Sequence, residues 1–206
     1  MKAVIFFSGL AGFLIFGPPF LKSRTHSQEV SVIVHEVSSK KIAIPRGSFS
    51  AQSQCRYEEE RRLTVSADGL QDMALRAGSG SLEVVGVEGL GDIQAVARAC
   101  ASHEEFLDDL QLTQEISGRT LLLETRYPEW RSWGGGNRYA RLDLRVEVPA
   151  GMSADVQDGS GELSLSNLGN VSLRDGSGEA VLSEIRGDLT VQDGSGELEI
   201  RGVTGF

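Results

Sequence analysis

Aromatic side chains are scarce, at 6 % of 206 residues against 40 % for all hydrophobic types. A core built around large rings is excluded, and small aliphatic residues must do the packing. Histidine is nearly absent: His26, His35 and His103 stand far apart, and His103-Glu-Glu lacks the second histidine of a zinc-protease helix. The 2 cysteines form no Cys-x-x-Cys pair, which removes a thioredoxin-like redox motif. No Gly-x-Ser-x-Gly elbow occurs, and Gly-Ser-Gly is never followed by the Gly-Lys-Ser/Thr of a phosphate loop. No catalytic, cofactor-binding or metal-ligating set is therefore expected. Positive charge is also short, with 20 Lys and Arg against 29 Asp and Glu for a net −9. Nucleic acid is excluded as a partner, because phosphate contacts need clustered Lys and Arg.

What the chain has instead is glycine at a fixed period. Asp-Gly-Ser-Gly-Glu occurs at Asp158–Glu162, Asp175–Glu179 and Asp193–Glu197, 17 and 18 residues apart. Aligned on it, Leu163, Ala180 and Leu198 form one column, and Leu165, Leu182 and Ile200 a second. Leu168, Ile185 and Val203 form a third. Ser164, Ser183 and Glu199 fall between them, giving the period of two that marks a strand with one buried face. The pairs Val171/Leu173 and Leu189/Val191 supply a second short strand per unit, with Gly169-Asn170 and Gly187-Asp188 at the opposite corner. Two strands cannot bury an apolar face alone, but stacked units share one core. The pattern predicts an all-β fold, a parallel β-solenoid of 17–18-residue rungs.

A degenerate copy lies earlier. Ala77-Gly-Ser-Gly80 precedes Leu82, Val84 and Val87, and Met73 and Leu75 match Val171 and Leu173. The solenoid is expected to start near Leu63 and to carry an insertion over residues 101–151. In that insertion Ser102-His-Glu-Glu105 is a capping-box pattern predicting a helix over His103–Leu110. A hairpin is expected from Leu110–Ile116 and Thr120–Arg126 across Ser117-Gly118, and a strand over Arg141–Val148 ended by Pro149.

Residues 1–27 carry Lys2 and then the apolar run Ala3–Phe16, broken by Gly17-Pro18-Pro19. This is the build of a secretory signal, and cleavage near Thr25-His-Ser27 or retention as a membrane anchor both stay open. Either way the body leaves the cytoplasm, and loss of those residues would leave a net charge of −12. Residues 28–54 hold apolar Val30–Val37 and Ile42–Pro45, then a polar connection, Arg46–Gln54. They serve as a linker or an extra edge strand. The domain proper is 55–206. Within it, an even number of cysteines in an exported chain predicts a Cys55–Cys100 disulfide. On the chain-entropy estimate such a bridge stabilises by about 4 kcal/mol.

The run Cys55-Arg-Tyr, Leu63-Thr-Val, Ala77-Gly-Ser-Gly-Ser-Leu, Arg98-Ala-Cys100, Tyr139-Ala-Arg-Leu-Asp-Leu and the Asp-Gly-Ser-Gly repeats resembles the bacterial putative-adhesin β-solenoid proteins of the cell envelope. The resemblance covers about Cys55 to Phe206. It implies a β-solenoid, export and a disulfide at these positions, and it implies no catalytic residues. Such proteins often carry several further repeats, whereas this sequence ends at Phe206 where another unit would begin.

Two candidate surfaces follow. The columns Asp158/Asp175/Asp193 and Glu162/Glu179/Glu197 are either hydrated turn residues with screened charges or a track bridged by a divalent cation. The segment Tyr127–Arg141 contains Trp130, Trp133, Arg138 and Tyr139, which form either a protein or glycan partner surface or a cover over the end of the stack. The leading expectation is a non-catalytic, exported envelope protein with an adhesin-like interaction module and an unknown protein or glycan partner. One alternative is a structural protein self-associating through its open edge, Leu198–Phe206. A second is a polysaccharide-acting β-helix enzyme, disfavoured because the strand faces carry mostly Ser, Thr and single charges.

Overall fold

A computed structural model describes residues 55–128 and 138–205, with the backbone of one earlier strand, β1 (Ser39–Ile42). The expected signal at 1–27, the strand Val30–Val37 and the connection Arg46–Gln54 lie outside the described residues. The strands that follow are β2 (Tyr57–Ser66), β3 (Asp72–Arg76), β4 (Leu82–Val87), β5 (Asp92–Ala101), β6 (Gln111–Ser117), β7 (Thr120–Arg126) and β8 (Ala140–Pro149). Shorter ones complete the fold: β9 (Ser153–Asp158), β10 (Gly161–Ser166), β11 (Val171–Asp175), β12 (Gly178–Ile185), β13 (Leu189–Asp193) and β14 (Gly196–Val203).

The fold is all-β, with two open, mixed sheets. One has the order β1-β2-β5-β8-β4-β10-β12-β14 and the other β13-β11-β9-β3-β7-β6. From β9 onward, consecutive strands alternate between the sheets. β9, β10, β11 and β12 each pair in parallel with the strand two positions later, so Leu163 lies opposite Ala180 and Ala180 opposite Leu198. Leu165, Leu182 and Ile200 align in the same way. On the other flank of β10, Leu163 meets Leu82 and Leu165 meets Val84. The inward residues of both sheets form one core with Met73, Leu75, Leu121, Leu123, Val156 and Leu173. Its small aliphatic character answers the scarcity of rings.

Glycine sets how closely the strands approach. Gly178 has φ +141, and a Cβ there would lie 1.8 Å from the Gly161 carbonyl oxygen. No other residue fits that corner without moving backbone.

Three sequence expectations are corrected. The helix over His103–Leu110 does not form, and a single 3₁₀ turn, Glu104–Phe106, stands in its place. The Ser102 hydroxyl, needed for the capping box, instead accepts the Tyr139 N–H at 3.1 Å and bonds His103 Nδ1 at 2.9 Å. So short a segment without a cap cannot sustain a helix, while burial of Leu107 and Leu110 holds it down. The hairpin does form, as β6 and β7 around Gly118 at φ +61. Its strands do not stand apart from the stack, however. β7 pairs in parallel with β3, and β8 lies between β5 and β4. Lastly, Val87 does not share the column of Leu168 and Ile185. It sits opposite Pro149, and Gly86 occupies the inward position, where a Cβ would meet the Asn167 carbonyl oxygen at 1.9 Å.

Where sequence left 28–54 as linker or strand, Ser39–Ile42 pairs antiparallel with β2 at the edge of the larger sheet. Cys55 and Cys100 are disulfide-bonded, with Cα atoms 5.3 Å apart. The bridge ties the start of β2 to the end of β5, strands already paired along their whole length.

Candidate functional site

Asp158, Asp175 and Asp193 end β9, β11 and β13 and lie in register on adjacent strands, about 4.8 Å apart by strand spacing. The reading of them as hydrated turn residues is corrected for the first two. Their positions continue the inward alternation of Ala154/Val156 and Val171/Leu173, so Asp158 and Asp175 are each only 7 % exposed. Burial first, and then the neighbouring Asp175 charge, pushes the Asp158 carboxyl up to about 6. Burial and Asp193 raise Asp175 likewise, while the Gly159 and Gly176 amides oppose the two shifts. Asp158 Oδ2 and Asp175 Oδ1 are buried without a hydrogen-bond partner. Charging either acid therefore works against burial and against the charge on its neighbour. Among the described residues no group of three or more His, Cys, Asp or Glu is arranged to hold a metal ion. Glu162, Glu179 and Glu197 also stand in register, but they face solvent.

At the Asp158 end of this column the next strand carries Ala77, and Tyr127 closes the corner. Its hydroxyl donates to the Ser79 carbonyl at 2.9 Å and accepts the Ser79 N–H at 2.8 Å. Its ring lies so close to Gly78 that a Cβ there would be 2.5 Å from Cε2. Burial, foremost, raises the Tyr127 phenol. Of the other aromatic-segment residues, Trp130 and Trp133 lie outside the described residues. Arg138 is exposed, with its guanidinium 6.0 Å from the Phe106 ring centroid. Tyr139 is half-buried, and its hydroxyl accepts the Arg56 N–H at 3.0 Å. Arg138 and Tyr139 thus gather around the 3₁₀ turn and the disulfide end of β2, away from Tyr127. His103 belongs to the same place, while His26 and His35 lie outside the described residues.

No family model matches the chain, and no curated protein matches it. Two solved structures resemble it. One, a putative cell adhesion protein from Clostridium sporogenes, is 15 % identical, covers 69 % of this chain and 98 % of its own length, and gives a TM-score of 0.45. The other, a putative adhesin from Parabacteroides distasonis, is 9 % identical with a TM-score of 0.37. It covers 80 % of this chain, which spans 56 % of its length.

Sequence reasoning missed two features. Glu59 and Arg61 form an inward ion pair at 3.3 Å in β2, with Arg61 Nη2 also donating to the Leu107 carbonyl. Extending the odd-numbered parity of Leu63 and Val65 backward would have found them. The second is a shallow groove on the outer face of the six-stranded sheet, lined by Arg76, Asp155, Asn170, Ser172 and Thr190. Arg76 bonds Asp155 at 2.8 Å, and Arg174 approaches the same carboxylate at 3.8 Å. Strand pairing brings these residues together from separate parts of the chain, which no local motif announces.

Proposed function

We propose that the chain is a non-catalytic, exported cell-envelope protein whose body is a β-solenoid used as an interaction module. The observation that carries this reading is the in-register stack of parallel strands with polar outer faces. Gln157, Arg174 and Gln192 repeat on one face, and Ser166, Ser183 and Arg201 on the other. A rigid comb of donors and acceptors at strand spacing suits an extended, repetitive partner such as a glycan chain or an extended peptide. The Cys55–Cys100 bridge supports an oxidising compartment. In this reading the groove at Arg76 and Asp155 holds part of that partner and catalyses nothing.

The test is fractionation of cells making the full chain, followed by glycan-array binding. The expected result is an envelope location with the bridge oxidised and binding lost in Arg76→Ala. Cytoplasmic protein with free thiols overturns the reading. So does release of reducing sugar from envelope polysaccharide that disappears in Asp155→Asn. A second reading, a self-associating structural protein, is favoured by one observation: Leu198, Ile200 and Val203 are exposed on β14.

A further inference from the structure

Two of the turns that cross between the sheets follow an inward acid. β9 ends on Asp158 and β11 on Asp175, and Gly-Ser-Gly then carries the chain into β10 and β12. Register places the two acids side by side. Both are buried, and the next inward residues past the turns, Leu163 and Ala180, are buried and apolar. The two carboxyl groups lie within hydrogen-bonding reach of each other. Yet Asp158 Oδ2 and Asp175 Oδ1 have no donor. An ionised carboxylate only accepts, so two of them in contact lack the hydrogen that would join them.

The charged groups around the pair do not supply one. Arg76 and Arg174 lie on the outer face of the sheet against Asp155. Asp193, exposed on the following strand, adds a further acid in register. The Tyr127 phenol at the Asp158 end is committed to Ser79, accepting its N–H and donating to its carbonyl. The Gly159 and Gly176 amides bond the acids but leave those two oxygens unserved.

We propose that Asp158 and Asp175 are a proton-operated latch between the two turns. A proton taken from solvent turns one of them into a carboxylic acid, whose O–H donates to the other carboxylate. Its return to solvent leaves two buried like charges at strand spacing, which push the turns apart. Two backbone bonds feel this directly. Gly176 N–H donates to the Asp158 carbonyl and Gly161 N–H to the Ser177 carbonyl, each at 3.1 Å. The Asp158 carboxyl, raised from 3.8 to about 6, sets the window. A raised acid stabilises the folded corner fully below about pH 4, and that contribution is lost as pH climbs through about 6. The latch involves only residues before β13 and needs neither export nor a ligand, so its failure leaves the envelope reading standing.

Amide hydrogen exchange on the full chain, read as protection factors, tests it. Protection at Gly161 and Gly176 should fall about tenfold between about pH 5 and about pH 8, with Ala97 in β5 unchanged. Asp158→Asn sets a permanent N–H donor beside Asp175 and should keep protection level over that range. Asp175→Asn should do the same from the other turn. A merely structural role for either acid would shift protection equally at both pH values and leave the fall in place. Equal protection in the parent at both pH values, a fall that persists in both variants, or a fall as large at Ala97 overturns the proposal. So does recovery of protection at about pH 8 on adding calcium, which would make a cation the missing link.

Discussion

The two ends of the eight-stranded sheet solve the problem of the edge in opposite ways. At one end β2, β5 and β8 are long, pair antiparallel and are stapled by Cys55–Cys100. Charges there are paired along and across strands, as in Arg98–Glu58 and Arg145–Glu83. At the other end β12 and β14 are parallel, glycine-cornered and finish on bare leucine, isoleucine and valine. The first end holds its shape by covalent and antiparallel constraint. The second holds it by close backbone approach, which tolerates no change at the corner.

That contrast can be broken most sharply at glycine. Gly161 has φ +138, and a Cβ there would stand 1.9 Å from the Gly80 carbonyl oxygen. Gly161→Ala is expected to cost about 4 kcal/mol or more, since backbone must shift on top of the dihedral strain. Gly69, at φ +76, has nothing within 4 Å of its Cβ position. Gly69→Ala should therefore cost only about 1 kcal/mol. Urea melts of both variants decide the point, and equal losses would refute the close-approach account.

Removing the staple comes next. Cys55→Ser with Cys100→Ser should lower stability by about 2–4 kcal/mol, leaving far-UV circular dichroism strand-like. A loss under about 0.5 kcal/mol would mean the antiparallel pairing alone suffices.

The smallest expected effect is a gain. The Asp158 carboxyl is raised in the folded state, from 3.8 to about 6. A folded acid that holds its proton more tightly is relatively stabilised at low pH, and the protein loses that advantage as pH rises from about 4 through 6. Asp158→Asn should therefore raise stability at pH 7 by on the order of 2 kcal/mol and have little effect below about pH 4. A variant less stable than the parent at pH 7 would show that the charged form is favoured after all.

The inward columns of residues 161–203 are legible in sequence because alternation and glycine spacing coincide there, so parity and register are set together. The hairpin at Gly118 is legible for a similar local reason, and the cysteine pairing because only 2 cysteines are present. The position of β8 between β5 and β4 is not, since a period of two says which face is buried and not which neighbour lies alongside. Asp158 and Asp175 read as turn residues because they are acids beside Gly-Ser-Gly, although counting two from Val156 and Leu173 places them inside. Gly86 hides the true parity of β4, as an inward glycine leaves the outward Val87 looking like the buried residue. The Ser102 hydroxyl has the spacing of a helix cap, and only tertiary structure reveals Tyr139 as its partner. The groove at Arg76 and Asp155 depends wholly on strand order and has no sequence signal.

The place of β4 has a consequence for how the chain assembles. It receives β8 on one flank and β10 on the other, both from much later in the sequence, whereas β12 and β14 each join a strand only one short excursion away. Closing the long loops is the slow step, and the later additions are quick and local. Nucleation is therefore expected around β4 and β8, with the C-terminal strands adding to it afterwards in chain order, and φ-values higher at Val84 and Val146 than at Leu182 and Ile200 would show it.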